Sequence, residues 1–407
     1  VWIDSQTEEE ILKGIETAKD LSEYDNLCEA AYLRAKEDYL MGINFSRVLT
    51  LKYGRNISNY LKMDRAVVSV GRVMTCVLGM VVRREREIRA FVKTPFFKVI
   101  GKTANFDAEW RVCEQSKYYN TPYLYKDNGF VDKEKAQELV TFLSDPLPAQ
   151  AVIEKIERKK ETKNPPLLFN LAEIQNECAK QFKISPDETL NIIQELYEKK
   201  LVTYPRTDAR VLSTAVSKEI YKNISGLKGF GPLGAFAEEV LQMGSYKGIA
   251  KTRYVNDKQI TDHYAIVPTG QGLGALRSLN PLSAKVYEVI GRRFLSIFYP
   301  AAVYQKTALD LARGNEHFFA NFKVLTEQGY LKVADVSGGK KKSQEEGEDS
   351  ERNQKDLENP EFLKMLASLK KGIQLDIREF NIKEGETSPP KRYTSGSMIL
   401  AMENAGQ

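Results

Sequence analysis

At 407 residues the chain exceeds one ordinary hydrophobic core, so two to four domains of roughly 100–200 residues are predicted. With 42% apolar and 28% charged residues it reads as globular and soluble, and no apolar run reaches the ~18–20 residues of a membrane span. The acidic opening Val1–Glu10 carries no secretory signal. Four dispersed cysteines (Cys28, Cys76, Cys113, Cys178) and two distant histidines (His263, His317) exclude a disulfide framework and a His/Cys zinc module. A reduced, cytoplasmic compartment is expected.

The net charge of +5 hides an uneven distribution. Residues 1–40 hold 11 acidic and 4 basic side chains, whereas residues 41–103 hold 13 basic and 3 acidic ones. Such a run is often a solvated face. Here it is rich in Arg with interleaved Tyr and Phe, which suits phosphate contact and base stacking. Nucleic acid is the leading partner class.

In chain order, Val1–Ile3 has the look of a strand end, and Thr7–Ala18 of an acidic helix. Helical periodicity runs through Leu27–Leu51 and again through Val73–Ile88. Residues Phe91–Val112 alternate as strands do. Pro146, Pro148 and then Lys159–Pro166 read as a boundary or linker. Asn170 with Glu173 makes a variant capping box for one helix, and Ser185-Pro186-Asp187-Glu188 opens a second. A short strand, Leu201–Tyr204, is stopped by Pro205; helix, turn, helix, strand is a winged-helix plan. Ala301–Val333 alternates again, Gly338–Pro360 is a low-complexity insertion expected to be mobile, Ile373–Ile382 is strand-like, and Met398–Asn404 is helical. Strand-like segments on both sides of the winged helix predict one β-domain interrupted by an inserted one.

Four stretches carry candidate chemistry. Gly229–Gly234 matches G-x-G-x-x-G, yet it follows a polar helical segment and contains Pro232, so a nicotinamide enzyme is rejected. Tyr204-Pro205-Arg206-Thr207-Asp208 offers a phenol able to attack phosphorus and a guanidinium fork matched to phosphate oxygens. Taken alone, a tyrosine packed at a strand end with a surface Arg–Asp pair is the commoner explanation. Ser69-Val70-Gly71-Arg72 leads into a helix N-terminus, a natural phosphate site or simply an N-cap. Asp262-His263-Tyr264-Ala265-Ile266-Val267-Pro268-Thr269 contains a histidine that is structural or a hydrogen-bond donor beside a phosphate.

In this order the stretches resemble the type IA DNA topoisomerases, most closely the topoisomerase III branch. Tyr204 and Arg206 are similar to the active-site signature. Ser69–Ile88 resembles S-x-G-R-V-Q-T-P followed by V-V-x-R-E-x-E-I, with Met74 for Gln and Cys76 for Pro. Residues 262–269 resemble A-H-x-A-I-x-P-T with Asp262 for Ala. Tyr24–Thr50 ends on a G-I-N-x-[ST]-R match that includes Arg47, and Arg392-Tyr393-Thr394 with Met402-Glu403 resembles R-Y-T…L-E. The resemblance covers nearly the whole chain.

It implies an α+β multidomain, toroidal core. The parts would be a Toprim tail (1–21), a helical DNA-binding domain (22–90 and 392–407), a β-rich arch (91–166 and 301–391, with the 338–360 insertion) and a winged-helix (CAP-like) domain bearing the tyrosine (167–300). Tyr204 would form a 5′-phosphotyrosyl link to single-stranded or underwound DNA, Arg206 and His263 would assist, and Arg47, Ser69, Arg72 and Arg392 would hold the strand. Mg²⁺ would belong to the intact enzyme, held by a Toprim acidic cluster with alternating Asp. No Asp-x-Asp occurs here, so this chain is expected to bind single strands as a monomer, without binding the metal and without cleaving efficiently alone. The competing class is a winged-helix regulator that binds DNA without chemistry. Tyrosine recombinases and initiator nucleases fit less well, lacking here their Arg/His motifs and paired histidines.

Overall fold

The computed structural model describes residues 8–334 and 360–404. The expected strand at Val1–Ile3 and the insertion up to residue 359 lie outside the described residues.

The acidic start forms helix α1 (Glu8–Glu16), and the first basic segment lies on a 37-residue helix α2 (Asp25–Leu61) and on α3 (Arg72–Ala90). α2 buries only Gly54 and Ser58, and α3 buries nothing. Of the apolar residues that repeat at three- and four-residue steps along α3, Val77, Met80 and Ile88 are half-buried, while Val73 and Val81 are exposed. Strands β1 (Pro95–Lys102), β2 (Asp107–Arg111), β3 (Leu124–Lys126) and β4 (Gly129–Phe130) precede α4 (Lys133–Leu143) and the long β5 (Ala149–Lys163).

After two prolines come α5 (Leu171–Phe182), α6 (Pro186–Glu198), α7 (Thr214–Gly226), α8 (Gly231–Met243) and α9 (Pro281–Ser296). Strands β6 (Ala302–Arg313) and β7 (Glu316–Glu327), helices α10 (Leu331–Ala334) and α11 (Pro360–Ser368), strands β8 (Gln374–Ile377) and β9 (Glu379–Glu386), and helix α12 (Ser395–Glu403) complete the order.

Among the described residues the nine strands form one antiparallel sheet, β3-β4-β1-β2-β7-β6-β5-β8, with β9 also on β1. Strands from before and after the α5–α9 segment thus share one sheet. Period-2 alternation decides its faces. Phe318, Ala320, Phe322 and Val324 of β7 point inward with Leu309, Leu311 and Ile153, under α4 and α11. Trp110 is fully buried, stacked on Phe130 at 4.9 Å, and donates to the buried Glu316 carboxylate at 2.7 Å. A second core gathers Phe169, Ile174, Cys178, Ile193, Leu196, Val267, Tyr287 and Phe294 from the α5–α9 segment. Burial pushes the Cys178 thiol up to about 12, so it acts as an apolar packing group.

Three expectations are corrected. Lys159–Lys163 is not linker: it ends β5, paired with Lys306 back to Ala302. The lysines alternate with Glu161, whose carboxylate is hydrogen-bonded by Lys306 and, at 2.8 Å, by Lys323, so the charges satisfy one another across the ladder. Only residues 164–170 separate the strand from the helix. The strand at Leu201–Tyr204 reduces to one bridge, Val202 to Pro268, because Pro205 and Pro268 have no N–H to continue the ladder. Strand character in Ala301–Val333 stops at Glu327, and Leu331–Ala334 turns helical under the buried Tyr330 and Val333. The Gly229–Gly234 stretch closes a 3-10 turn and opens α8, with helix α7 rather than a strand ahead of it.

Candidate active site and nucleic-acid interface

Helix α5 is anchored as its sequence requires. Asn170 accepts from the Glu173 amide at 2.9 Å, and Ser185 caps α6 through Glu188 at 3.1 Å. The reciprocal half of the first capping box is replaced, since Glu173 pairs with Arg210 at 2.9 Å. Asn170, 1% exposed, also donates through Nδ2 to the Asp208 carbonyl at 3.1 Å and to Glu403 of α12. The cap of α5 therefore also holds the end of the tyrosine motif.

The loop bearing Tyr204 is fixed at both ends by threonines. The Thr203 hydroxyl donates to the Ala265 carbonyl at 2.9 Å and accepts from the Val267 amide at 3.0 Å, doing the work of the missing strand. The Thr207 hydroxyl, nearly buried, donates to the His263 carbonyl at 2.6 Å, and the Leu171 amide donates to the Thr207 carbonyl at 3.1 Å. Between these clamps Pro205 is buried, Tyr204 half-buried and Arg206 exposed. The Tyr204 ring lies 4.4 Å from the His263 ring and meets Tyr197 edge-on at 5.4 Å.

Two clamped segments thus bring together a tyrosine and a histidine 59 positions apart in the chain. Arg206 has no ion-pair partner among the described residues, so its fork is open to an anion. Tyr264, another phenol of this segment, is pushed up to about 12 by desolvation.

The second group of predicted residues lies along α2 and α3. Gly42, Ser46, Thr50 and Gly54 recur every fourth position on one face of α2, and residues 66–70 run along it. The Val70 amide donates to Ser46 Oγ at 2.8 Å and the Val68 amide to Thr50 Oγ1 at 2.9 Å. A Cβ on Gly54 would stand 2.8 Å from the Ala66 carbonyl oxygen, so only glycine admits this approach. The result presents Ser69, exposed, and delivers Gly71 as the N-cap of α3 with no side-chain cap, leaving first-turn amides open. Arg72 is forked onto Asp38 of α2, with Nη2 to Oδ2 at 2.8 Å, and this pairing holds the Asp38 carboxyl below its usual range. Arg47, one residue past Ser46, is exposed and without an ion-pair partner among the described residues.

Arg392 sits apart from both groups. It forks onto Glu85 of α3, with Nη2 to Oε2 at 3.1 Å, and that bond lowers the Glu85 carboxyl. Beside it the Arg84 guanidinium lies 4.3 Å over the Tyr393 ring and donates to its hydroxyl at 3.1 Å. Residues 391–403 then strap α3 to α5: a Cβ on Gly396 would meet Asn176 Oδ1 at 2.4 Å, and Glu403 reaches Asn170. No hydrogen bond, ion pair or ring contact among the described residues joins Tyr204 to Arg47, Ser69, Arg72 or Arg392. Thr203, Thr207, Asn170, Tyr197, Asp38 and Glu85 were not legible as site residues; the threonines that bracket Tyr-Pro-Arg were the available signal.

An α+β multidomain core with a clamped tyrosine on a helix-turn-helix segment, and a separate arginine-bearing helix pair, defines a nucleic-acid-handling class of protein. A family model described as DNA topoisomerase matches residues 22–406. The chain is 32% identical over 410 residues to DNA topoisomerase 3 of Bacillus subtilis and 31% identical over 407 residues to that of Bacillus licheniformis. Each alignment covers 99% of this chain and 50% of the relative, so the chain spans about half the length of these curated relatives. Full-length topoisomerase I from Thermotoga maritima shares the fold, with a TM-score of 0.64 and 22% identity, over 99% of this chain and 58% of that one. The chain belongs to the type IA DNA topoisomerases, in the topoisomerase III branch.

Proposed function

We propose that this chain is the strand-holding and tyrosine-bearing part of an enzyme that changes DNA topology by transient cleavage of one strand. The Tyr204–His263 pair, held between two threonine clamps, is the observation that carries the reading.

Tyr204 Oη attacks a phosphodiester phosphorus. The new O–P bond forms as the bond to the 3′-oxygen breaks; the phenol proton passes to solvent and the departing oxygen takes one up. A 5′-phosphotyrosyl link remains. Attack by the 3′-hydroxyl after strand passage restores both partners, so no nucleotide is consumed. Arg206 steadies the phosphate, and His263 lies against the nucleophile where an imidazole N–H can meet a phosphate oxygen. Arg47, Ser69 and Arg72 hold the single strand along α2 and α3, and Arg392 contributes from the α3–α12 strap.

In this reading residues 22–90 with 392–407 form the strand-holding domain, 91–166 with 301–391 an arch, and 167–300 the tyrosine-bearing domain. The protein acts as a cytoplasmic monomer on single-stranded or underwound DNA. Among the described residues no helix is long and apolar enough to cross a membrane. In this reading the Mg²⁺ of the intact enzyme is held by an acidic cluster of the longer protein and not by this chain. Among the described residues the grouping of three or more metal-ligating side chains is Glu154, Asp310 and His317, which lies on the sheet and includes an imidazole.

The test incubates labelled single-stranded DNA and Mg²⁺ with this chain inside a protein of its relatives' length. A protein-linked 5′-end product on denaturing gels is expected, and Tyr204→Phe abolishes it. Its persistence in Tyr204→Phe would remove the nucleophile assignment. Equal affinity of the chain for single and double strands would favour the regulator instead.

A further inference from the structure

On the outward face of the sheet, three side chains from three adjacent strands converge. His317 of β7 lies diagonally across from Asp310 of β6, with Nδ1 2.7 Å from Oδ1. Glu154 of β5 stands on the other side of the ring, with Oε2 3.5 Å from His317 Nε2. Glu154 is placed there by a break in register: Ile153 pairs with Leu311 and Lys155 with Asp310, leaving Glu154 as the extra residue of a bulge. Bulges redirect a side chain in this way. His317 is 12% and Asp310 18% exposed, while Glu154 is 55% exposed and closes the group on its open side. Donor atoms of the three lie within 4.8 Å of one another.

We propose that Glu154, Asp310 and His317 form a binding site for a transition-metal dication of the zinc class. In the tautomer that donates Nδ1–H to Asp310, the ring presents its Nε2 lone pair to the Glu154 carboxylate. Two electron-rich atoms face each other, and a cation between them removes the repulsion. Their 3.5 Å separation is long for a charge-assisted hydrogen bond, roughly 2.7–2.9 Å. It suits two donors sharing one tetrahedral zinc ion, which at bond lengths of roughly 2.0–2.1 Å stand about 3.4 Å apart.

Asp310 completes the arrangement in which a carboxylate orients a metal-binding imidazole through its far nitrogen. Two carboxylates and a neutral ring match a double positive charge. Of the adjacent cations, Lys155 bonds Glu157 at 2.7 Å while also bearing on Asp310, and Arg111 lies over the Phe319 ring at 5.4 Å. An imidazole ligand selects against Mg²⁺. The ion would pin β5, β6 and β7 together beside the β6–β7 turn.

The probe is Co²⁺ added to the metal-stripped chain. One Co²⁺ per chain with visible d–d bands and no thiolate charge-transfer band is expected, displaced by Zn²⁺ and not by a large excess of Mg²⁺. His317→Ala loses the site, and Asp310→Asn weakens it roughly ten- to hundredfold. Glu154→Gln, on an exposed side chain that leaves the fold intact, also weakens it and abolishes the rise in thermal midpoint that Zn²⁺ gives the parent chain. Co²⁺ uptake equal in the parent and in Glu154→Gln would overturn the proposal. So would a thiolate spectrum, or displacement by Mg²⁺. DNA cleavage plays no part in these readouts, so the site and the tyrosine assignment stand or fall separately.

Discussion

Thr207 donates its hydroxyl proton to the His263 carbonyl at 2.6 Å, and this bond sets the histidine beside the tyrosine three residues upstream of the threonine. Thr207 is 6% exposed, so its loss leaves a carbonyl without its partner in a largely dry place. Thr207→Val keeps the shape and is expected to cost about 1–3 kcal/mol of stability, the penalty of an unsatisfied buried acceptor. Cleavage product should fall further than the fraction folded, because the Tyr204–His263 approach loosens. Thr207→Ser restores the bond and should restore product. Denaturant unfolding read beside denaturing gels checks both; a Thr207→Val protein that cleaves in proportion to its folded fraction would show that the clamp only stabilises.

The approach of residues 66–70 to α2 depends on Gly54 far more than on Gly42. A Cβ at position 54 would stand 2.8 Å from a backbone oxygen, whereas at position 42 the nearest atom, the Val70 oxygen, is at 3.6 Å. Alanine gains roughly 1 kcal/mol of helix propensity over glycine at either place. At 54 the overpacking, about 1–3 kcal/mol, outweighs that gain and pushes the Ser69–Arg72 segment away; at 42 nothing opposes it. Gly54→Ala should therefore weaken single-strand binding, and Gly42→Ala should bind normally and melt slightly higher. Fluorescence anisotropy and thermal melts distinguish the two.

Much of this was readable beforehand, and what was not has physical causes. The caps of α5 and α6 rest on local hydrogen bonds that Asn170 and Ser185 announce by type and spacing. Local chemistry was misleading where long-range pairing overrode it. Lys159–Lys163 looks like a charged linker until Glu161 meets lysines from two other strands, more than 140 positions away. The short strand before Pro205 was a fair reading of Leu201–Tyr204, but its partner segment carries Pro268 in place of an amide donor. The Tyr204 and His263 motifs could be singled out separately; their contact rests on threonine hydroxyls 62 and 56 positions from the carbonyls they meet, which no periodicity reveals. Glu154, Asp310 and His317 depend on strand register and a bulge, and neither leaves a mark in the sequence.

Arg72 is already engaged by Asp38, so a DNA phosphate must displace a carboxylate to use it. Both side chains are well exposed, which makes the exchange cheap and sensitive to salt. Asp38→Asn should tighten single-strand binding, because the guanidinium no longer has a charged competitor. Arg72→Ala should weaken binding and reduce the slope of log affinity against log salt by about 0.7, the single-strand value for one phosphate contact. The double variant should resemble Arg72→Ala alone. Salt titrations of the four proteins check the scheme, and tighter binding by the double variant than by Arg72→Ala would mean that Asp38 repels DNA directly.

Two carboxylates of the sheet should give opposite pH dependences. Glu316 is 3% exposed, and desolvation raises its pKa despite hydrogen bonds from Trp110 at 2.7 Å and Ser116 at 3.0 Å. An acid with a raised folded pKa makes its full contribution to stability below its unfolded value of 4.5 and loses it as pH rises through the folded value. Glu161 is the reverse. Hydrogen bonds from Lys306 and Lys323 hold it at about 2, so its contribution is present above 4.5 and disappears as pH falls toward about 2. Glu316→Gln is already neutral. Its stability relative to the parent should therefore improve as pH rises from about 4 to about 7, the side on which the parent must ionise a buried group. Glu161→Gln should fall short of the parent at neutral pH and approach it in acid, by a margin that shrinks with salt because the ladder is exposed. Urea unfolding of the three proteins across this range measures both slopes, and parallel curves for Glu316→Gln and the parent would mean that Glu316 keeps its charge in the fold.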